Sequence, residues 1–394
     1  MIQFDFRGTG GARPTMNEQE LRAFFMDLHR HPELGFQERR TTAKVLEALE
    51  AHGIAALPSG METGLIAVIR GRRPGRVIGL RCDMDALPIQ EETGLTYASE
   101  VPGVMHACGH DSHTTVMLGA ALLLKEREEE LAGTVKVIFQ PAEEIGGATE
   151  RLMQTGQLDD VEEFYAIHSY PWFAPGTLGI KEGPVMAAVD KFEITLRGHG
   201  SHGGYPHRSI DPIPAAAALV QSAQTIVSRN INAFSPAVVS VTRMTAGNTW
   251  NVIPETAELE GTVRTLYPED RERIEQTLRR MTEHIAAAHG CTSEFVWTGG
   301  NAAIFNDPGL CAGARRVAED LGFRTDRQED TMGAEDFSDY LQKRPGVFIR
   351  VGTGGGVEAH HPGFRVDMAA LAPAAEFFAA LAMARTAVGT ADQN

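Results

Sequence analysis

Apolar residues recur at helical spacing in NEQELRAFFMDLHRH (17–31) and again in TTAKVLEALEAHG (41–53), which closes on Gly53, so the pattern predicts two amphipathic helices near the start of the chain. The pattern then changes. Short apolar runs at 77–80, 135–139, 164–167 and 347–351 lead into "RCDMDALP", "QPAEE", "HSYP" and "GTGGG". Runs of this kind are typical of strands buried on both faces of a mainly parallel sheet. Each ends in acidic, histidine or glycine residues, and ligands of open α/β sheets sit beyond the carboxyl ends of the strands. The chemistry is therefore expected at those ends.

From residue 184 the pattern reads differently. KFEITLRG predicts a strand, IPAAAALVQSAQTIVSRN a helix, AVVSVTRMTAG and TAELEGTVRTL two strands, PEDRERIEQTLRRMTEHIAAAHG a helix and TSEFVWTG a last strand. The order β-α-β-β-α-β is that of a ferredoxin-like α+β sandwich. Helix and strand signals of the first kind then resume, ending in the apolar helix MAALAPAAEFFAALAMARTAV. The expectation is an α/β protein in two domains: a discontinuous, mainly parallel-sheet domain with helices on both faces, at 16–183 and 295–394, and an inserted domain at 184–294. Residues 1–15 read as a loose N-terminal arm.

Composition narrows the classes. With 43% hydrophobic and 22% charged residues the 394-residue chain can bury a sizeable core and lacks the signature of disorder. A net charge of -16 without a basic run argues against sequence-independent nucleic-acid binding. Four cysteines without framework spacing point to a reducing compartment. No basic-then-apolar leader opens the chain, and no run of about 18 uncharged apolar residues occurs in it, so a cytoplasmic protein off the membrane is expected.

The stretch "MHACGHDSH" (105–113) is the richest in chemistry. Cys108 and His110 straddle Gly109 ahead of the helical segment SHTTVMLGAALLL, and both are good ligands for zinc-like ions. Two other readings stay open there: Cys108 as a nucleophile with His106, His110 or His113 as its base, or ordinary loop histidines. "FQPAEE" sets Glu143 beside Glu144, which suggests that one carboxylate binds metal while the other moves a proton. His168 ends "AIHS", Asp83 and Asp85 follow the 77–80 run, and His360 and His361 stand in "EAHHPGF". The glycines of "GTGGG" are not followed by the lysine of a phosphate-binding loop. Any one of these clusters is ambiguous, but five at adjoining strand ends are not explained by chance.

The ordered series "HRHPELGFQE", "DMDALPIQEE", "GVMHACGHDSHTT", "FQPAEE", "AIHSYP", "GHGSHGGYPH", "WNVIPETAELEGTVRT", "MGAEDFS" and "HHPGF" resembles the aminoacylase/carboxypeptidase family of metallohydrolases. Within it, the branch of hippurate hydrolases, N-acyl-amino-acid amidohydrolases and auxin-conjugate hydrolases is the most similar, over nearly the whole chain. The resemblance implies two divalent metal ions per subunit (zinc, manganese, cobalt or nickel) held by Cys108, His110, Glu144, His168 and His360. The His-x-Pro spacing selects His360 over His361. It further implies Glu143 as general base, Asp85 as the aspartate orienting a ligand, and an inserted domain that serves as lid and dimerisation module. His202 would stabilise the oxyanion, and Asn251 with Arg264 would grip the substrate carboxylate, a group a guanidinium recognises well. For Arg264 the competing reading is a cross-strand ion pair with a glutamate such as Glu260. The implied reaction is hydrolysis of a small N-acyl-L-amino acid by a homodimer or a dimer of dimers. A dipeptidase or carboxypeptidase of the same family, a catalytically silent metal-binding protein and a Cys108 thiol hydrolase are the rivals.

Overall fold

The computed structural model describes residues 16–327 and 329–387, so the expected N-terminal arm lies outside the described residues. The chain divides into two compact units. One comprises the chain up to Gly183, Phe305–Glu329 and the chain from Asp339; the other comprises Pro184–Ile304 and Asp330–Ser338.

The first unit opens with α1 (Glu18–Arg30), whose Asn17 side chain accepts from the Gln19 and Glu20 N–H groups while the Glu20 carboxylate accepts from the Asn17 N–H. That reciprocal cap satisfies donors the first turn would leave open. Its buried face is Leu21, Phe25, Leu28 and His29. Helix α2 (Arg39–Ala51) follows, its Arg40 and Thr41 N–H groups donating to the Glu33 carboxylate at 3.0 and 2.8 Å.

Then come β1 (Ala55–Pro58), β2 (Leu65–Arg70), β3 (Arg73–Asp83), α3 (His110–Glu126), β4 (Ala132–Gln140), β5 (Glu163–Tyr170) and β6 (Thr177–Gly179). With the late strands Arg324–Asp326 and Gly346–Gly352 they form one eight-stranded sheet, ordered β1, β2, β4, β3, β5, Gly346–Gly352, β6, Arg324–Asp326. The four central strands run parallel to their neighbours, β4 to β3, β3 to β5 and β5 to Gly346–Gly352. Antiparallel pairs occur toward the flanks. These four are the strands expected from the apolar runs, and their parallel pairing lines up their carboxyl ends.

Helix α3 is buried over most of its length and packs against the late helix Leu371–Thr386. A Cβ on Gly119 would stand 2.9 Å from Ala375 Cβ, so glycine permits the close approach. By length and composition Met368–Thr386 could cross a membrane, but Phe377, Phe378 and Leu381 are fully buried in the core. An element apolar all round is explained by burial on all sides. The other face of the sheet buries Phe164 beneath Tyr340, ring centroids 5.1 Å apart.

The second unit has a four-stranded antiparallel sheet in the order Ala237–Ala246, Thr256–Thr265, Ala188–Arg197, Thr292–Gly299, with helices Pro212–Asn230 and Pro268–Ala288 packed on it. Its core is Phe192, Ile194, Leu196, Leu219, Ile226, Leu259, Val263, Ile274 and Leu278. Gly261 leaves room for Phe192: a Cβ there would lie 2.1 Å from the ring. The unit closes at Ile304, beyond the expected boundary at 294, because Thr292–Gly299 pairs with Ala188–Arg197 along its whole length. It also takes in Asp330–Ser338, joined through the Met186 to Thr331 bridge and the Ala187 N–H to Gly333 O bond of 2.9 Å.

Candidate metal centre

Gly109 caps α3 at φ 88, in the left-handed region, so the helix starts at His110 and not at Ser112 as the sequence suggests. A Cβ at Gly109 would also lie 2.6 Å from Ser169 Oγ. The turn leaves Cys108 just ahead of the helix and His110 in its first turn. From β5, His168 brings Nε2 to 3.6 Å from Cys108 Sγ. Its Nδ1–H donates to the Ser169 carbonyl at 2.9 Å, which leaves Nε2 with a lone pair. Burial, with His113 close by, holds the His168 pKa well below the ordinary histidine value, so the ring is neutral, as a ligand must be.

After β4 the chain turns through Ala142 into the short helical turn Glu143–Ile145. Asp85, beyond the end of β3, accepts from the Glu143 N–H at 3.1 Å through Oδ1 and from the Glu144 N–H at 3.0 Å through Oδ2. Its Oδ1 also lies 3.2 Å from His110 Nδ1, which turns His110 Nε2 toward Glu144 Oε1, 3.9 Å away. His360 adds Nε2 at 3.1 Å from that same Glu144 oxygen. Its neighbour His361 is exposed and accepts from the Gly363 N–H instead.

The structure thus gathers Cys108, His110 and His168 in one group, Cys108, Glu144 and His360 in a second, and His110, Glu143 and Glu144 in a third, with donor atoms within 4.8 Å of one another in each. Two of those atoms, His110 Nε2 and Glu144 Oε1, are buried, and the contact of Glu144 Oε1 is the His360 ring. Sulfur, imidazole and carboxylate donors crowded together fit divalent ions of borderline softness. Burial opposes charge on His110, but Asp83, Cys108 and Asp85 outweigh it and hold its pKa well above the ordinary value. A proton and a dication therefore compete for this site.

Cys108 does not suit a nucleophile. Burial pushes its thiol up to about 12, whereas a nucleophilic cysteine needs a depressed pKa.

Asp83 and His113, which are outside the ligand set implied by the resemblance, support the centre from behind. Asp83 Oδ2 accepts from Arg81 Nη1 at 2.7 Å, and its Oδ1 lies 2.5 Å from His113 Nδ1. His113 Nε2 accepts from the Ser169 N–H at 2.7 Å, so its proton is on Nδ1. The pair locks α3 to β3 and β5. The signals were present, since Asp83 precedes Asp85 by two positions and His113 follows His110 by one helical turn.

Behind His110, His29 lies buried between Asp111 (Nδ1 to Oδ2, 2.6 Å) and Glu91 (Nε2 to Oε1, 3.3 Å). Burial works against a charged ring, but the hydrogen bonds and charges of Asp111 and Glu91 outweigh it and raise the pKa from 6.5 to about 9. The folded state holds the extra proton, so this contribution to stability is complete below about pH 6.5 and is lost as pH rises through about 9. His29→Gln is expected to flatten the fall in Tm between about pH 7 and 9. Thermal melts check this, and an unchanged slope would assign the fall to other groups.

The remaining three sequence candidates lie on the second unit. His202 pairs with Val252 in a two-stranded ribbon and accepts from the Gly204 N–H at Nδ1, 3.0 Å. Asn251 O accepts from the Gly203 N–H at 2.8 Å, which ties the two loops together. Arg264 is half-buried beside a recess of about 400 Å³ that Glu260, Thr262 and Gly300 also line. Its expected alternative partner, Glu260, is bound by Arg243 at 2.5 Å. Among the described residues, no carboxylate pairs with Arg264.

The family model of peptidase family M20/M25/M40 matches residues 79–384. The chain belongs to this family. The matched span opens within β3, ahead of Asp83, and takes in all ten candidate residues. The chain is 48% identical over 358 residues to N-acetylcysteine deacetylase of Bacillus subtilis, covering 91% of this chain and 94% of that one. It is 42% identical over 280 residues to N-acyl-L-amino acid amidohydrolase of Geobacillus stearothermophilus, covering 71% and 76%. Among solved structures, a Bacillus subtilis dinuclear metal-binding peptidase of the M20 family superposes with a TM-score of 0.86 at 44% identity, covering 93% and 97%. The α/β sheet unit with an inserted α+β unit is thus the architecture of an M20 family member.

Proposed function

We propose that this M20 family chain is a metal-dependent amidohydrolase that cleaves N-acyl-L-amino acids to a carboxylic acid and a free amino acid. The observation that carries the reading is the gathering of S, N and O donors from Cys108, His110, Glu144, His168 and His360 in overlapping groups, with Glu143 beside them. The names of the two relatives, a deacetylase of N-acetylcysteine and an N-acyl-amino-acid amidohydrolase, support the acyl-amide class.

Cys108, His110, Glu144, His168 and His360 would hold two divalent ions, which would supply Lewis acidity toward the amide oxygen and acidify water at the site. Glu143 takes the proton of the attacking water and returns it to the leaving amine. Asp85 fixes the Glu143 and Glu144 backbone and orients the His110 ring, as ligand-supporting carboxylates do. Arg264 and Asn251 bind the substrate carboxylate and His202 donates to the developing oxyanion, with the inserted unit serving as lid and as the surface of a homodimer. The half-buried Arg264 guanidinium, which donates to the Thr262 hydroxyl and the Val263 carbonyl but to no carboxylate among the described residues, supports the carboxylate role. A cytoplasmic location accords with four unpaired buried cysteines and an apolar helix that belongs to the core.

The test is release of free amino acid from hippurate, N-acetyl amino acids including N-acetylcysteine, and dipeptides. The N-acyl compounds are expected to be turned over with the higher kcat/KM. The reverse ranking would make the protein a dipeptidase.

A further inference from the structure

Three non-glycine residues among those described adopt a left-handed backbone: Phe36 at φ 60, Ala142 at φ 57 and His360 at φ 65. L side chains disfavour this region, and such residues persist only where surroundings enforce them. His360 is a proposed ligand. Ala142 immediately precedes Glu143, and Phe36 lies in the loop packed against it.

The segment 33–38 enforces the Ala142 backbone. Its N–H donates to Glu38 Oε1 at 2.8 Å, across 104 positions of sequence. Glu38 is fully buried, and its other oxygen has no hydrogen-bond partner. The loop that carries Glu38 presses on the same turn: a Cβ on Gly35 would lie 2.8 Å from Ile145 Cδ1 and 3.2 Å from Ala142 Cα. On its other side this loop binds the segment after Asp85, through the Ala86 N–H to Glu33 O bond of 2.8 Å and the Leu34 to Ala86 bridge. One short stretch, 33–38, thus holds both the Asp85 segment and the Glu143 turn.

We propose that Glu38 is a positioning residue for the hydrolysis: by accepting the Ala142 N–H it holds the left-handed turn that aims Glu143 and Glu144. The assignment rests on the reading of Glu143 as the proton carrier. Glu38 acts through the reach of one oxygen and not through its charge. Burial raises its pKa to about 7, so both protonation states are accessible near neutrality and both offer an acceptor. A glutamine provides the same acceptor at the same distance, whereas an aspartate keeps the charge and falls short by a methylene.

The test is steady-state kinetics of the intact, metal-loaded protein on hippurate and N-acetylcysteine, with bound metal and melting temperature measured in parallel. E38D is expected to lower kcat by ~10- to 100-fold with KM unchanged at saturating metal, because a misplacement of about 1 Å costs that much, while E38Q stays within about threefold of wild type. Adding A142G to E38D is expected to restore part of kcat, since glycine takes this φ without penalty. Wild-type kcat in E38D, or a folded E38Q as impaired as E38D, overturns the proposal. Should E38D fail to fold, E38Q alone decides. E143Q is run alongside: near-normal turnover there overturns the reading of Glu143 and this inference with it, whereas an inactive E143Q with an unaffected E38D overturns this inference alone.

Discussion

Glu143→Gln is expected to keep its metal and to lose ~10²- to 10⁴-fold in kcat, the range that a positioned proton carrier contributes. The amide is nearly isosteric with the carboxylate and cannot accept a proton at neutral pH. The backbone of the turn is held by Asp85 through the Glu143 and Glu144 N–H groups, which the substitution leaves in place. The proposed ligand set includes Glu144 and not Glu143, so metal content should match wild type. KM should change little, because the lost interaction develops during proton transfer and not in substrate binding. Measuring kcat, KM and bound metal on one preparation separates the roles. Near-normal turnover would remove Glu143 as the base, and loss of metal together with turnover would make it a ligand.

Removal of divalent ions is the second large effect expected. Protein stripped with a chelator should lose more than ~10²-fold in kcat/KM, since the Lewis acidity of bound ions accounts for several kcal/mol of the barrier. Activity should return on adding Mn²⁺, Zn²⁺, Co²⁺ or Ni²⁺, and the ranking identifies the ion that the mixed donor set prefers. The experiment also separates this chemistry from a Cys108 thiol mechanism, which would run in stripped protein and be blocked by alkylation. A thiol pushed up to about 12 by burial gives little thiolate at neutral pH, so stripped protein is expected to be both inactive and slow to alkylate.

The strand ends were legible because the signals are local: an apolar run, then polar residues, four times over. The inserted unit was legible for the same reason, since its strands alternate and its helices end at recognisable stops. What was not legible depends on partners chosen across long distances. Nothing near Glu38 announces that its carboxylate will meet Ala142, and nothing near Ala142 announces a left-handed turn. Nor does anything near Arg81 announce that it is fully buried, its guanidinium bound by Asp83 and Gln140. Asp330–Ser338 joined the second unit through backbone bonds to 185–187 that no periodicity foreshadows. The start of α3 turned on the φ of Gly109, a backbone choice that composition leaves open. The proposed ligands were named from the family resemblance of their motifs, and His360 over His361 from its spacing, while the geometry that gathers them came only with the fold.

The discontinuity of the first unit also governs the order in which the molecule can be made. The strand Gly346–Gly352, which completes the centre of the large sheet, and the helix Leu371–Thr386, which fills its core, leave the ribosome after the whole of Pro184–Ile304. Domains fold as units during synthesis, so the continuous part of the inserted unit can form while β5 still presents an unpaired, apolar edge. The nascent chain is most exposed to misassociation in that interval, and a ribosome stalled before Gly346 would carry an ordered second unit beside a hydrolase that has neither its His360 nor its core helix.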